Sequence, residues 1–192
     1  MADAAGWYRF THVTKSVPSG HKLYRASTPN YHTKDSDQDL TQKAVDFLVS
    51  QGIDSIIGYN ECEYKAVEKE RLAKAKPPIQ YLHLKLGDFK PPTLAQLKQA
   101  NDFFLKNEST LVHCGYGHGR SGTGVTGLQV YAEDGKSLRP LAKSWVTPLS
   151  SGGNNVETRE QVSILAEQRN ILFPYVSLAK RILLVFILAI SC

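Results

Sequence analysis

The stretch HCGYGHGRSG, residues 113–122, combines a cysteine, three alternating glycines, an arginine and a serine. The residues STLVH, 109–113, come before the cysteine and are typical of a fully buried strand. The residues TGVTGLQVYAE, 123–133, follow it and predict a helix despite their glycines. A glycine-rich turn between a buried strand and a helix is a common place for an anion, because the first N–H groups of a helix have no partner within it.

The rest of the chain alternates predicted strands and helices around this stretch. Further strands are predicted at 21–27, 53–59 and 79–86, and further helices at 39–52, 63–75, 91–107, 137–146 and 156–170. Thr93 and Gln96 form a Thr-x-x-Gln capping box at the start of one helix. Residues 1–20 are predicted to be irregular, 63–75 an exposed helix and 147–155 a loop.

This alternation predicts an α/β fold with a central, mostly parallel sheet flanked by helices. Ligands of such sheets bind beyond the carboxyl ends of the strands, which is where residues 114–122 fall. We expect one catalytic domain over residues 1–170 and an apolar tail over 171–192.

The overall composition is that of a globular protein, with 42% apolar residues and a formal net charge of +5. This charge is compatible with an anionic ligand but does not require one. The lysines are scattered rather than clustered, which argues against nucleic-acid binding.

The chain has three cysteines, Cys62, Cys114 and Cys192, and no Cys-x-x-Cys pair. This pattern favours neither a disulfide framework nor a zinc ribbon. The first residues lack the basic and then apolar pattern of a signal peptide, so we expect a cytoplasmic protein with reduced thiols. Cys62 follows a predicted strand; it is either a buried thiol or the partner of Cys114 in a reversible disulfide.

The tail contains an uninterrupted apolar run from Ile182 to Ile190. A membrane-spanning helix needs roughly 20 apolar residues, and Lys180 and Arg181 interrupt any longer run. The tail is therefore expected to be buried or to face a partner, with a weak membrane-surface contact as the alternative.

The residues of the glycine-rich stretch have complementary roles in phosphate chemistry. Glycines at 115, 117 and 119 allow successive N–H groups to face one concavity, and Arg120 offers a planar fork to two phosphate oxygens. Cys114 lies at the base of this positive concavity, which favours the thiolate and makes it a candidate nucleophile.

Two other glycine motifs are weaker explanations of the same residues. GHGRSG, 117–122, matches the dinucleotide-binding pattern G-x-G-x-x-G, but no acidic residue follows at the end of a next strand. A Walker A loop would need lysine where Arg120 stands.

The string His-Cys-x5-Arg-Ser resembles the signature loop of the cysteine-based protein tyrosine phosphatase superfamily. The surrounding chain, from LYRASTPN (23–30) to VETREQVSIL (156–165), looks most like the small dual-specificity branch. The resemblance implies a phosphotyrosine-phosphatase-like fold and a general acid on a separate loop. Asp88, in LGDFKPPT, stands in the matching Asp-x-x-x-Pro-Thr context.

The resemblance implies catalytic roles for four residues. Cys114 would form a cysteinyl-phosphate, and Ser121 would hydrogen-bond its sulfur. Asp88 would protonate the leaving oxygen and then act as base on water. Arg120 and the loop would hold the phosphate through residues Gly115, Tyr116, Gly117, His118 and Gly119.

Three further residues have more open assignments. Gln161 is either the water-orienting glutamine of the family or the partner of Thr158 in a second capping box. His113 braces the loop from beneath or is simply a core histidine. Arg25 is predicted to be structural.

The resemblance implies a phosphatase that needs no metal or cofactor. Phosphotyrosine on proteins, and with it phosphoserine and phosphothreonine, is the favoured substrate class. The loop interior has no lysine, which disfavours highly charged inositol polyphosphates. A phosphorylated metabolite, lipid or prenyl phosphate remains the alternative substrate, and an inactive phosphate-binding module the alternative function.

Overall fold

The computed structural model describes residues 1–133 and 153–172. The predicted helix at 137–146, most of the loop at 147–155 and the apolar run of the tail lie outside these residues.

A five-stranded sheet forms the centre of the molecule. Its strands are β1 (Thr11–Val13), β2 (Lys22–Ser27), β3 (Ser55–Gly58), β4 (Gln80–His83) and β5 (Ser109–Cys114). Their order across the sheet is β1-β2-β5-β3-β4. The pairs β2–β5, β5–β3 and β3–β4 are parallel, and only β1 is antiparallel to its neighbour. The predicted α/β fold with a mostly parallel sheet is confirmed.

Five helices belong to the described residues: α1 (Gln42–Ser50), α2 (Ala66–Lys74), α3 (Leu94–Phe104), α4 (Gly119–Ala132) and α5 (Arg159–Leu172). The capping box at the start of α3 is formed, with Thr93 and Gln96 each bonding the other's backbone N–H. Short 3-10 turns lie at Asp3–Ala5 and Asp35–Asp37.

The core lies on both faces of the sheet. Adjacent residues of the inner strands point to opposite sides, so that Ile56 joins one apolar cluster and Ile57 the other. Helices α1 and α2 cover the first cluster through Leu48 and Leu72. Helices α3 and α4 cover the second, in which Phe104 is fully buried. Strand β5 is buried along its whole length because both of its faces and both of its edges are covered.

One strand differs from the sequence-based expectation. Strand β1 lies within residues 1–20, which were predicted to be irregular; it has three residues, two of them exposed, and so shows no readable apolar alternation. Helix α2 is largely exposed, as predicted, and only Leu72 and Glu68 of its nine residues are buried. The Glu68 carboxylate accepts the N–H groups of Leu40 and Lys65, which compensates for its burial.

The carboxyl ends of β2, β3, β4 and β5 meet at one edge, and the segments that follow them form the site described next. Among the residues described, no helix combines the length and apolar character that crossing a membrane would need.

Candidate active site

The glycine-rich stretch forms a tight loop between the central strand β5 and helix α4. Cys114 is the last residue of β5, and α4 begins at Gly119, so the loop itself is only residues 115–118. Helix α4 is buried from Gly119 to Val130, which fixes its N-terminus behind the cysteine. The unpaired N–H groups of the first turn of α4 therefore lie at the carboxyl edge of the sheet, as the sequence predicts.

The sulfur of Cys114 is held at the base of this loop. The residue is only 2% exposed, and its Sγ accepts the N–H of Gly117 at 3.2 Å. The Oγ of Ser121 lies 3.4 Å from Sγ and 2.9 Å from the carbonyl oxygen of His118. The single Ser121 hydroxyl hydrogen thus has two acceptors within reach, and rotating it towards sulfur would stabilise a thiolate.

Three glycines at the loop lie in close contact with their neighbours. Gly117 has a φ of +97°, and a Cβ there would lie 2.7 Å from the backbone N of Ser27. A Cβ at Gly115 would collide with the carboxylate of Asp35, and one at Gly119 with the carboxylate of Glu157. Two acidic side chains therefore pack directly on the loop.

Arg120 lies in the first turn of α4 and its guanidinium is firmly held. Its Nη1 and Nη2 donate to the two carboxylate oxygens of Asp35 at 2.5 and 2.8 Å, and Nη1 also donates to the Leu86 carbonyl at 3.1 Å. The side chains of Arg120 and Asp35 are 4% and 10% exposed. Burial opposes the charge of the guanidinium, but the hydrogen bonds to Asp35 and the nearby anionic groups raise the pKa of Arg120 above its usual value.

Asp88 reaches the same guanidinium from the loop after β4. Its Oδ1 lies 3.0 Å from Nη2 of Arg120, and its side chain is 64% exposed. The next residue, Phe89, has a φ of +59° and donates its N–H to the Asp88 carboxylate. The structure thus brings Asp88, which the sequence places on a separate loop, to the guanidinium of Arg120, where it is held far less firmly than Asp35.

Glu157 and Gln161 approach the loop from the start of α5. The Glu157 carboxylate lies directly against Gly119, the first residue of α4, and is within reach of its N–H. Partial burial, together with the charge of Asp88, raises the pKa of Glu157 above its usual value. The amide oxygen of Gln161 accepts the N–H groups of Glu157 and Thr158 at 2.9 and 3.2 Å, so the second capping box is formed.

His113 lies beneath the loop and is completely buried. Its Nε2 is 3.0 Å from the hydroxyl of Tyr64, and its ring packs edge-on against Trp7. Burial lowers the pKa of His113 to about 3, so the ring is neutral at physiological pH. This position agrees with the loop-bracing interpretation and with that of a core histidine.

Aromatic and basic side chains form the rim of the site. Tyr116 is 48% exposed and packs edge-on against the rings of Tyr31 and His118. The guanidinium of Arg9 lies 3.7 Å from the centre of the Tyr116 ring, and its Nε donates to the Tyr116 carbonyl. Burial and then the charges of Arg25 and Arg9 lower the pKa of His118, so this ring adds no positive charge at neutral pH.

Two sequence-predicted residues, Arg25 and Cys62, remain. Arg25 is buried and donates to the carbonyl of Asn154, which agrees with a structural role. Cys62 and Cys114 are both free thiols, and their reversible disulfide stays a prediction.

Three residues at the loop were not predicted from the sequence, namely Asp35, Glu157 and Arg9. The pairing of β2 with β5 aligns Ser27 with Cys114, so the segment after β2 begins beside the cysteine loop. Had that pairing been known, the acidic residues after β2 would have been candidates for contacts with the cysteine loop. Neither Glu157 nor Arg9 belongs to a motif, and only the tertiary structure brings them to the loop.

Comparison with known families identifies the class of protein. The family described as "Swiss Army Knife protein, DSP-PTPase phosphatase domain" matches residues 31–168, which include the loop, Asp88 and Gln161. The chain therefore belongs to this family of small dual-specificity-like phosphatase domains, and it is a cysteine-dependent phosphatase. No curated protein matches the chain.

Solved structures share the fold at low sequence identity. The kinase associated phosphatase, solved with its catalytic-site cysteine replaced by serine, matches with a TM-score of 0.62 and 20% identity over 86% of this chain and 96% of that one. Tk-PTP in its active form matches with a TM-score of 0.55 and 23% identity, over 77% of this chain and 91% of its own. PTPMT1 in complex with PI(5)P matches with a TM-score of 0.56 and 16% identity, over 85% of this chain and 96% of its own. These similarities support the fold and leave the substrate open.

Proposed function

We propose that the protein hydrolyses phosphotyrosine on proteins, and with it phosphoserine and phosphothreonine, through a covalent cysteinyl-phosphate. The observation that carries the proposal is the position of Cys114, whose sulfur accepts a loop N–H at the base of a glycine loop that ends in Arg120. A phosphate held by that loop and by Arg120 would present its phosphorus to the sulfur.

Phosphate binding would replace the contact of Arg120 with Asp88 and keep its contacts with Asp35 and Leu86. Asp35 is nearly buried and also accepts the N–H of Glu61 at 2.8 Å, so it stays in place. Asp88 is exposed and makes one contact with the guanidinium, so a phosphate oxygen can replace it at Nη2. Asp35 is thus a positioning residue that holds the guanidinium of Arg120. Asp88 becomes free to turn towards the leaving group.

In the first step the Cys114 thiolate forms an S–P bond as the bond between phosphorus and the leaving oxygen breaks. The Asp88 carboxyl gives its proton to that oxygen, a contribution of typically 10²–10⁴-fold. Arg120 and the loop N–H groups stabilise the equatorial oxygens. In the second step water attacks phosphorus, the sulfur leaves as a thiolate that Ser121 can hydrogen-bond, and inorganic phosphate is released.

The rim supports an aryl phosphate ester as the substrate. Tyr116 and Phe89 are exposed beside the loop and Asp88, and offer apolar surface to an aromatic ring. The carboxylates of Asp35, Asp88 and Glu157 surround the loop, and His118 is neutral. This electrostatic environment favours a single phosphate over a polyphosphate.

A phosphorylated metabolite or lipid is the second candidate substrate, and Arg9 is the observation that favours it. Its guanidinium lies at the rim against Tyr116, where it could meet a second anionic group. The similarity in fold to PTPMT1, solved with PI(5)P, is compatible with that candidate.

The experiment is hydrolysis by the purified protein in EDTA of a phosphotyrosyl peptide, a phosphoseryl peptide, a phosphoinositide and a generic aryl phosphate. We expect the phosphotyrosyl peptide to give the highest kcat/KM, Cys114→Ser to abolish turnover, and Asp88→Asn to slow it by about 10²-fold or more.

Tyr116→Ala and Arg9→Gln separate the two candidate substrates. The first should raise KM for the phosphotyrosyl peptide, and the second should leave it little changed. A preference for the phosphoinositide that is lost in Arg9→Gln would contradict the protein-phosphatase proposal and support the alternative.

A further inference from the structure

Glu157 brings a third carboxylate, in addition to those of Asp35 and Asp88, to the loop that follows Cys114. Its carboxylate lies so close to Gly119 that a Cβ there would be 2.2 Å from Oε2, and the Gly119 N–H is within its reach. Asp88 and Arg120 lie near enough to influence its charge. Glu157 reaches the loop from the start of α5, whereas Asp88 reaches it from the segment after β4. The two carboxylates thus come from separate elements.

Gln161 is poorly placed to be the group that receives a proton from water. Its amide oxygen is occupied by the N–H groups of Glu157 and Thr158. Its Nε2 lies 3.5 Å from the Lys90 carbonyl, at the limit of a hydrogen bond. A neutral amide is not a proton acceptor at physiological pH. Gln161 can therefore hold the backbone N–H of Glu157, but it cannot take a proton from the attacking water.

The surroundings of Glu157 suit a general base. Partial burial and the charge of Asp88 raise its pKa, which makes the carboxylate a stronger proton acceptor than one free in water. The Gly119 N–H would hold one carboxylate oxygen, leaving the other for a water molecule.

We propose that Glu157 is a catalytic residue of the second step, which orients the attacking water and takes its proton. This inference rests on the proposed cysteinyl-phosphate route. Water oxygen forms a bond to phosphorus while the S–P bond to Cys114 breaks. One water proton passes to the Glu157 carboxylate, the sulfur leaves as a thiolate, and the product leaves as inorganic phosphate. Asp88 then acts in the first step, so each step has its own proton-transfer group.

Rapid-quench kinetics with an aryl phosphate test the proposal on the full chain. Glu157→Gln keeps an oxygen that can accept the Gly119 N–H but removes the base. Glu157→Asp keeps a carboxylate on a shorter side chain. Glu160→Gln, which changes an exposed glutamate in the first turn of the same helix, is the matched control. Thermal unfolding verifies that each variant is folded.

We expect Glu157→Gln to release the first equivalent of phenol rapidly and then to turn over about 10²-fold more slowly than the unmodified protein. Phosphate should accumulate on Cys114 in this variant, less so in Glu157→Asp, and not in Glu160→Gln. A purely structural role would slow both steps together without accumulation of the intermediate.

Two outcomes would overturn the inference, and they are distinguishable. If Glu157→Gln hydrolyses the phosphoenzyme at the normal rate, Glu157 is not the base, although the cysteinyl-phosphate route stands. If no phosphoenzyme forms on Cys114 in any of these proteins, the proposed function fails together with the inference.

Discussion

At the scale of single residues, the site is organised around the charge of Arg120. Its Nη atoms donate to Asp35, Asp88 and the Leu86 carbonyl. The pair with Asp35 is nearly buried and bidentate, and breaking such a pair from one side is typically destabilising by about 3–5 kcal/mol. A firmly held arginine is what a phosphate site needs, because no free energy is then spent on ordering it during the reaction.

Asp35→Asn tests whether this pair positions the guanidinium. The change removes the charge and one of the two acceptor oxygens, so Arg120 should lose its fixed orientation. We expect kcat/KM for an aryl phosphate to fall by at least about tenfold, with kcat falling as well. Steady-state kinetics, beside the exposed Asp39→Asn as control, measure this effect. Tighter binding of inorganic phosphate to Asp35→Asn would instead show that Asp35 competes with the substrate.

At the scale of elements, helix α4 determines the position of the loop by packing closely against its neighbours. A Cβ at Gly124 would collide with the buried ring of Tyr59. A Cβ at Gly127 would lie 2.7 Å from Cδ2 of Leu97, the far end of a flexible side chain. The glycines that weaken α4 as an isolated helix therefore allow its close approach to the sheet and to α3.

Replacing these two glycines by alanine should have different effects. Alanine gains about 1 kcal/mol in helix propensity at either position. At Gly124 we expect overpacking against Tyr59 to exceed this gain, with a net loss of about 1 kcal/mol or more in the free energy of unfolding. Gly127→Ala should be closer to neutral because Leu97 can shift. Urea unfolding of both variants provides the comparison, and equal effects would contradict this account of α4.

At the scale of the whole molecule, burial of His113 links stability to pH. The folded protein keeps this ring neutral down to a pKa of about 3, whereas the unfolded chain takes up a proton below about 6.5. The unfolded state therefore binds more protons between these values, and stability is lost as the pH falls from 6.5 towards 3. From pH 7 to pH 5 this one group should remove about 2 kcal/mol.

His113→Asn should lose this part of the pH dependence even if it is less stable at pH 7. The measurement is the free energy of unfolding in urea at several pH values between 5 and 7, with the exposed His32→Gln as control. An unchanged slope in His113→Asn would show that other groups cause the acid sensitivity.

Much of the fold could be predicted from the sequence because its signals are local. The parallel sheet follows from strands that alternate with helices, and the capping boxes at Thr93 and Thr158 mark where two helices begin. Strand β1 could not be predicted, because its pairing with β2 stabilises a segment that has no apolar pattern of its own.

The site was predictable where one motif or loop supplies the residues, as with Cys114, Arg120 and Asp88. Asp35 and Glu157 approach the loop from segments distant in sequence, and their role depends on the order of strands and on the start of α5. An isolated acidic residue in a loop carries no sequence signal of such a contact. The sequence thus indicates which chemistry to expect, and the fold shows which carboxylates lie at the loop.

The measurement that tests the central claim most directly is the capture of phosphate on Cys114. The protein is mixed with an aryl phosphate in EDTA, quenched in acid within the first turnover, digested and mapped by mass spectrometry. We predict phosphate on the peptide that contains Cys114, and none on that peptide in Cys114→Ser. Turnover without any phosphorylated peptide, or with phosphate on another residue, would contradict the cysteinyl-phosphate mechanism.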